Sequence, residues 1–266
     1  MKRRIILLLV WSGLLIAVFV VMGMAIRHHQ QRKCGAVKIT INHPDGDFFI
    51  SESEIRDYMA LVADSVEGER LEKINIHSLE QLISGNPYVQ KTAVYAGMDG
   101  VVHIDVVQRK PIVRVQNAAH EQWYISEDGR MMPVNPGKPA KVLFASGYIT
   151  EVFAPEMNLL MSEIKTKKDS LLSGTVLYKI FTIASAIDED PFLKAQIEQL
   201  YLNKQGEFEM VPMVGKHLII FGEGDAVKEK FENLRAFYRL GLSKEGWDKY
   251  DTINLKFQHQ VVCTIK

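Results

Sequence analysis

The pattern of apolar and polar positions divides this chain into three stretches of different character. From Ile5 to Ile26 no charged residue occurs, and only Ser12, Gly13 and Gly23 interrupt large apolar side chains. At about 1.5 Å rise per residue such a run reaches roughly 33 Å, enough to cross a hydrocarbon core of about 30 Å. The pattern therefore predicts one transmembrane helix, residues 5–26, behind a tail at 1–4 and ahead of a linker at 27–36. A cleaved signal peptide would end in small residues, but Ile26-Arg27-His28-His29 stands there instead. Gln31-Arg32-Lys33 before Cys34 likewise lacks the context of a lipid-modified cysteine. Lys2, Arg3 and Arg4 balance Arg27, Arg32 and Lys33 across the run. The basic residues packed directly against the first end, and the length of the region downstream, favour a cytoplasmic N-terminus and an extracytoplasmic body.

Residues 37–109 read as a small α+β module. Val37 to Ile41 alternates as a strand should, and Pro44-Asp45-Gly46 turns the chain. Ser51 with Glu54 has the form of a capping box, ahead of Ile55, Tyr58, Met59 and Val62 at helical spacing, predicting a helix over 52–63. Ile76, Leu79, Leu82 and Ile83 predict a second helix, closed by Gly85-Asn86-Pro87. Val89 to Ala96 and Val101 to Gln108 predict two strands joined by Met98-Asp99-Gly100, whose Asp-Gly pair suits a tight hairpin. A strand, helix, helix, strand, strand order directly behind a membrane anchor resembles a POTRA domain.

Residues 110–266 read as a second module of mixed β-sheet with flanking helices. Pro111 cannot donate to a ladder and so belongs at a strand start or domain joint. Strands are predicted at Ile112–Gln116, Trp123–Ile125 and Lys141–Ala145, with Pro133, Pro136, Gly137 and Pro139 in a loop. No element is assigned to 157–168. Val176 to Ile187 forms a helix apolar around most of its circumference, and Asp190-Pro191 starts a further short turn. A hairpin at 197–202 and 207–211 turns at Lys204-Gln205-Gly206; a strand at 217–221, a helix at 226–240 capped by Gly241 and a final strand at 252–265 complete the module.

That final strand carries the sharpest pattern. Ile253, Leu255, Phe257, Val261, Cys263 and Ile265 share one parity, and only His259 and Val262 break the alternation. A terminal strand with one apolar face suits a sheet margin, where unpaired backbone groups template a partner's strand, while Lys256 limits indiscriminate pairing.

Composition adds mainly exclusions. With 32 basic and 32 acidic residues the formal charge is zero, so no positive field favours nucleic acid. Nucleophile-elbow, zinc-binding, C-x-x-C and phosphate-loop motifs are absent from the sequence, so no catalytic, metal or cofactor residue is assigned. Gly222-Glu223-Gly224 falls between a strand and a helix, but Val227 takes the third glycine position of a dinucleotide fingerprint and the preceding segments are hairpins. The eight histidines share no helical spacing, and Asp188-Glu189-Asp190 reads as a solvated helix end. No disulfide is expected between Cys34 and Cys263.

Taken together, the chain resembles the FtsQ/DivIB family of bacterial division proteins in a divergent form. Gln108-Arg109-Lys110-Pro111, Trp123-Tyr124-Ile125 with Asp128-Gly129, Gly206-Glu207-Phe208-Glu209, Phe221-Gly222, Gly246-Trp247 and Ile253-Asn254-Leu255-Lys256-Phe257 carry the resemblance by their order and spacing. Gln108 stands where the family commonly has Glu, and Leu143 to Gly147 only loosely follows its usual proline-containing stretch. The resemblance implies a non-catalytic scaffold in the cell inner membrane at the division septum, binding FtsB and FtsL by strand addition and helping control septal peptidoglycan synthesis. Through the Leu255-Lys256-Phe257 match it implies contacts at Phe257, Gln258, Gln260 and Val262, with Tyr250 and Lys256 nearby, and a second docking surface for divisome proteins on the POTRA-like module. A POTRA-bearing envelope assembly or secretion chaperone is the alternative, and an extracytoplasmic hydrolase is disfavoured by the missing motifs.

Overall fold

The computed structural model describes residues 11–23, 33–46, 48–62, 66–135, 137, 139–154, 174–242, 246 and 249–265. The chain divides into two compact units, Met1–Gln108 and Arg109–Lys266. Of the expected membrane span, residues 11–23 are described and form helix α1, with every residue exposed. Residues 5–10 and 24–26 lie outside the described residues, and no described helix is long and apolar enough to cross a membrane.

The remainder of the first unit is built from β1 (Ala36–Asn42), α2 (Glu52–Val62), α3 (Ile76–Ser84), β2 (Val89–Ala96) and β3 (Val101–Gln108). Helix α2 starts where its cap dictates. The Ser51 amide donates to Glu54 Oε2 at 2.7 Å, and the Glu54 amide donates to Ser51 Oγ at 3.4 Å, satisfying two backbone donors reciprocally. Asn75 accepts from the Ser78 amide at 3.0 Å and caps α3. The three-stranded sheet runs β1-β3-β2, with β1 parallel and β2 antiparallel to the central β3. Ile55, Leu79, Ile83, Val102 and Ile104 are fully buried between helices and sheet. The Gln108 side chain accepts from the Phe49 and Ile50 amides at 2.7 and 3.3 Å, tying the end of β3 to the loop before α2.

The second unit is a nine-stranded sheet in the order β12-β11-β10-β9-β8-β7-β4-β5-β6. Its strands are β4 (Pro111–Gln116), β5 (Gln122–Ser126), β6 (Met131–Pro133), β7 (Leu143–Gly147), β8 (Ile197–Leu202), β9 (Phe208–Pro212), β10 (Leu218–Gly222), β11 (Tyr250–Asn254) and β12 (Val262–Ile265). Helices α4 (Val176–Asp188), α5 (Pro191–Gln196) and α6 (Val227–Phe237) complete it. Leu177, Ile180, Phe181, Ile183 and Ala184 of α4 and Phe231 and Leu234 of α6 share one core with inward residues of β4, β5 and β7 to β11. That placement explains why α4 is apolar on so many sides. At roughly 1.5–3 kcal/mol per fully buried large apolar side chain, this single core dominates the unit's stability.

The structure corrects several expectations. Pro133 closes β6, opposite Trp123, rather than lying in a loop; β6 is the outermost strand at its end of the sheet, the kind of strand that tolerates proline. Helix α6 gives way at Phe237 to a wider π turn over Tyr238–Leu242, before the expected cap at Gly241. Asp188 and Asp190 are not a solvated helix end. Asp188 lies between Lys110 Nζ at 2.7 Å and Lys194 Nζ at 2.8 Å, while Asp190 caps α5 through the Phe192 and Leu193 amides and pairs with Arg235. Three helices and the start of β4 meet around these carboxylates, a convergence invisible in the local pattern.

The largest correction concerns the final strand. Residues 252–265 are not continuous: the chain leaves β11 after Asn254, turns through 255–261 and returns as β12, antiparallel to β11. The reversal uses His259 in the left-handed region at φ 56°, without glycine or proline. His259 is one of the positions where the alternation falters.

Candidate protein-docking edge

Strand β11 has no free side, since β10 pairs with it in parallel and β12 antiparallel. Among the described residues strand β12 pairs only with β11 and ends the sheet. The two ends of the sheet differ in burial. At the β6 end Met131 and Met132 are 1% and 0% exposed, whereas at the β12 end Val262 and Ile265 are 43% and 64% exposed. Among the described residues the β6 margin is thus covered and the β12 margin bare, with no charged residue from Val261 to Ile265. Register sets its faces: Cys263 lies opposite buried Ile253, and Val262 lies opposite Asn254. Val261 and Cys263 pack against the core on the helix side. On the open side the Thr252 hydroxyl donates to Thr264 Oγ1 at 2.9 Å. Burial pushes the Cys263 thiol pKa up, favouring the neutral thiol. Both Cys263 and buried Cys34 are free thiols.

The connector between β11 and β12 is fastened at several points. The Leu255 amide donates to the Ile220 carbonyl at 2.9 Å, Lys256 Nζ pairs with Glu207 at 2.9 Å, and the His259 amide donates to Glu229 Oε1 at 3.3 Å. Phe257, Gln258 and Gln260 remain exposed. Lys256, Phe257, Gln258, Gln260 and Val262 therefore succeed one another along the connector into the bare edge. Tyr250 is separate, at the far end of β11, opposite Ile265 and edge-on to Phe237 with centroids 5.6 Å apart. Of the residues singled out from sequence, Val262 alone lies in β12; Cys263, Thr264 and Ile265, which form the rest of the edge, have their signal in the same period of two.

The Gly222-Glu223-Gly224 turn supports this margin. Strand β10, helix α6 and strand β11 form a parallel crossover, so a βαβ unit is present after all, downstream of the hairpins that argued against one. The turn nevertheless holds side chains rather than a phosphate cradle. Gly222 and Gly224 have φ of 85° and 82°, and a Cβ on them would lie 2.9 Å from Lys256 Cγ and 3.0 Å from Phe208 Cε2. Glycine is needed there for both conformation and close approach. Among the described residues no group of three His, Cys, Asp or Glu side chains could hold a metal ion.

Residues 110–264, the unit carrying this edge, match the family model described as FtsQ/DivIB, C-terminal related. The chain belongs to the FtsQ/DivIB-related family. Residues 32–107 match the POTRA-like domain model, so this divergent FtsQ/DivIB-like chain carries a POTRA-like domain ahead of its C-terminal unit. No curated protein matches the chain. Within the FtsQ/DivIB-related unit, Arg109 of the joint motif and Asp128 of the Asp128-Gly129 motif pair with one another, so two separated stretches that carried the resemblance meet in the fold.

Proposed function

We propose that this FtsQ/DivIB-related chain is a non-catalytic scaffold of the bacterial division machinery. It binds FtsB- and FtsL-type partners by adding their strands to β12, and so helps control septal peptidoglycan synthesis. In this reading the uncharged run at 5–26 spans the inner membrane once, with the N-terminus cytoplasmic and residues 27–266 outside, and the POTRA-like domain offers a second surface to other division proteins. The observation that carries the reading is the bare β12 margin in a unit matching the family. Backbone donors and acceptors on such an edge lose little by leaving water for a partner strand and gain its ladder. Phe257, Gln258, Gln260 and Val262 line the approach, with Lys256 and Tyr250 at its borders.

Depletion tests the division role: filamentous or chained cells are expected, whereas normal septation with failed outer-membrane protein assembly would favour the chaperone alternative. A backbone variant tests the edge. Successive N–H groups of a strand point to opposite sides, so of Cys263→Pro and Thr264→Pro one removes an outward donor and spares the β11 ladder. Gln258→Pro is less informative, because Gln258 lies in the turn. The proline variant that keeps wild-type circular dichroism is expected to bind FtsB-type partner about tenfold more weakly, since an unmet buried carbonyl costs about 1–3 kcal/mol. Undiminished co-purification with that folded variant would refute strand addition at β12.

A further inference from the structure

We propose that the groove between α4 and α6 binds a small single-chain amphiphile whose head is uncharged and rich in hydrogen-bond acceptors, such as an alkyl amide. The site is separate from the β12 edge, since none of its lining residues belongs to β11, β12 or their connector.

The two helices run side by side in the same direction. Near their starts Lys179 of α4 lies against Gly224, where an added Cβ would stand 3.2 Å from Lys179 Cβ, and near their ends Asp190 pairs with Arg235. Between them opens a groove of about 750 Å³, within the range of about 300–1,000 Å³ common for ligand pockets. Its depth follows from residue size. Helix α4 lines it with Tyr178, Thr182, Ser185 and Ala186, which share one helix face, and the last three are too small to fill the gap to α6. Phe181, Leu193 and Phe231, each at most 3% exposed, make an apolar floor.

The polar end of the groove points to a ligand. Ser185 Oγ and Arg235 Nε are buried and have no hydrogen-bond partner among the described residues. Buried polar groups without partners are costly and few in native proteins. Thr182, by contrast, is satisfied, its hydroxyl donating to the Tyr178 carbonyl at 2.9 Å. The guanidinium offers only donors and the serine hydroxyl can donate as well, so a complementary head supplies acceptors. Charge argues against an anionic one. Asp190 is taken up by Arg235, which leaves the exposed carboxylates of Glu189 and Glu232 at this end, together with the negative C-terminal ends of both helices. An amide carbonyl meets the two donors without that repulsion. The alkyl tail then runs back over Phe181 and Val227 to Tyr178, about 10 Å from Ser185 along the helix.

Photolabelling reads the site directly. A decyl amide with a diazirine at its tail end would be irradiated with the full chain in phosphatidylcholine vesicles, and the adducts mapped by peptide mass spectrometry. Irradiation expels dinitrogen, and the carbene left behind inserts into a neighbouring C–H bond. Adducts are expected on Tyr178 and Val227. Excess decanamide should reduce them about tenfold by mass action, while decanoate should not. Ala186→Phe fills the groove and is expected to abolish the adducts in a chain of wild-type circular dichroism. Ser185→Ala, which adds no volume, keeps the test decisive should the larger side chain unfold the unit. It is expected to weaken competition by decanamide about fivefold, the worth of one hydrogen bond. Absence of adducts on α4 and α6, adducts that decanamide does not displace, equal competition by decanoate, or unchanged competition in Ser185→Ala would each overturn the proposal. Adducts formed in the vesicles but missing in native membranes would overturn it too, by giving the groove to a helix of another protein.

Discussion

Gly147→Ala is expected to leave the C-terminal unit mostly unfolded, seen as loss of cooperative urea unfolding and as rapid proteolysis beyond residue 108. Gly147 ends β7 with φ 110°, a region L-residues rarely enter. A Cβ there would lie 2.2 Å from the Leu202 carbonyl oxygen and 2.8 Å from its amide nitrogen. These are backbone atoms of β8, the strand paired with β7, so no side-chain rotation relieves the clash. Backbone strain costs about 1–3 kcal/mol, and forced displacement in a packed core about as much again. Together these approach the whole stability of a typical domain near the lower end of about 5–15 kcal/mol. The β7–β8 pair lies inside the sheet, so its parting separates β9 to β12 from β4 to β6. A Gly147→Ala chain that unfolds at the wild-type urea midpoint would refute the close approach.

Asp128→Asn is expected to destabilise the same unit by about 3 kcal/mol at neutral pH, because it removes the carboxylate paired with a buried guanidinium. Arg109 is only 4% exposed in its side chain and pairs with Asp128, which also accepts from Ser126 Oγ at 2.5 Å. Burial pushes the Asp128 pKa up, but the hydrogen bonds from Arg109 and Ser126 and the charges of Arg109 and Arg130 outweigh it, and the net shift is downward. A carboxylate with a depressed folded pKa contributes stability above its unfolded pKa, about 3.9 for aspartate. That contribution is lost as pH falls through the folded value. Asp188, lowered likewise against burial by Lys110 and Lys194, acts in the same direction. The difference between wild type and Asp128→Asn should therefore be constant from about pH 5 to 7 and shrink below about pH 4. Urea midpoints across that range decide the matter, and a difference independent of pH would exclude the ion pair as its source.

Much of the local structure is legible in the residues themselves. The β1–α2–α3–β2–β3 succession follows from period, the Ser51–Glu54 cap and the Asp-Gly hairpin, each acting within a few residues. Asp190-Pro191 similarly starts α5, with Asp190 accepting from the Phe192 amide at 2.9 Å. The ion-pair centre around Asp188 is not legible in this way, because its partners Lys110 and Lys194 come from separated elements that no local pattern links. The hairpin at the end of the chain is hidden for a related reason. Its alternation continues across 255–261 because Leu255 is buried by the core although it lies outside any strand, and the reversal rests on a left-handed histidine rather than on a turn residue.

The type and order of most elements, the caps that start the helices, and the family, through motifs spaced along the chain, are all written in the residues read in order. Those properties rest on backbone preference and on bonds between near neighbours. The strand order of the large sheet, the hairpin of β11 and β12, and the choice of which margin stays bare arise only when distant segments pack. A strand's pattern states which face is buried but not which neighbour occupies its flanks, since every backbone edge offers the same donors and acceptors. Only the packing of helices on one face, and the covering of β6 at the opposite end, left β12 open.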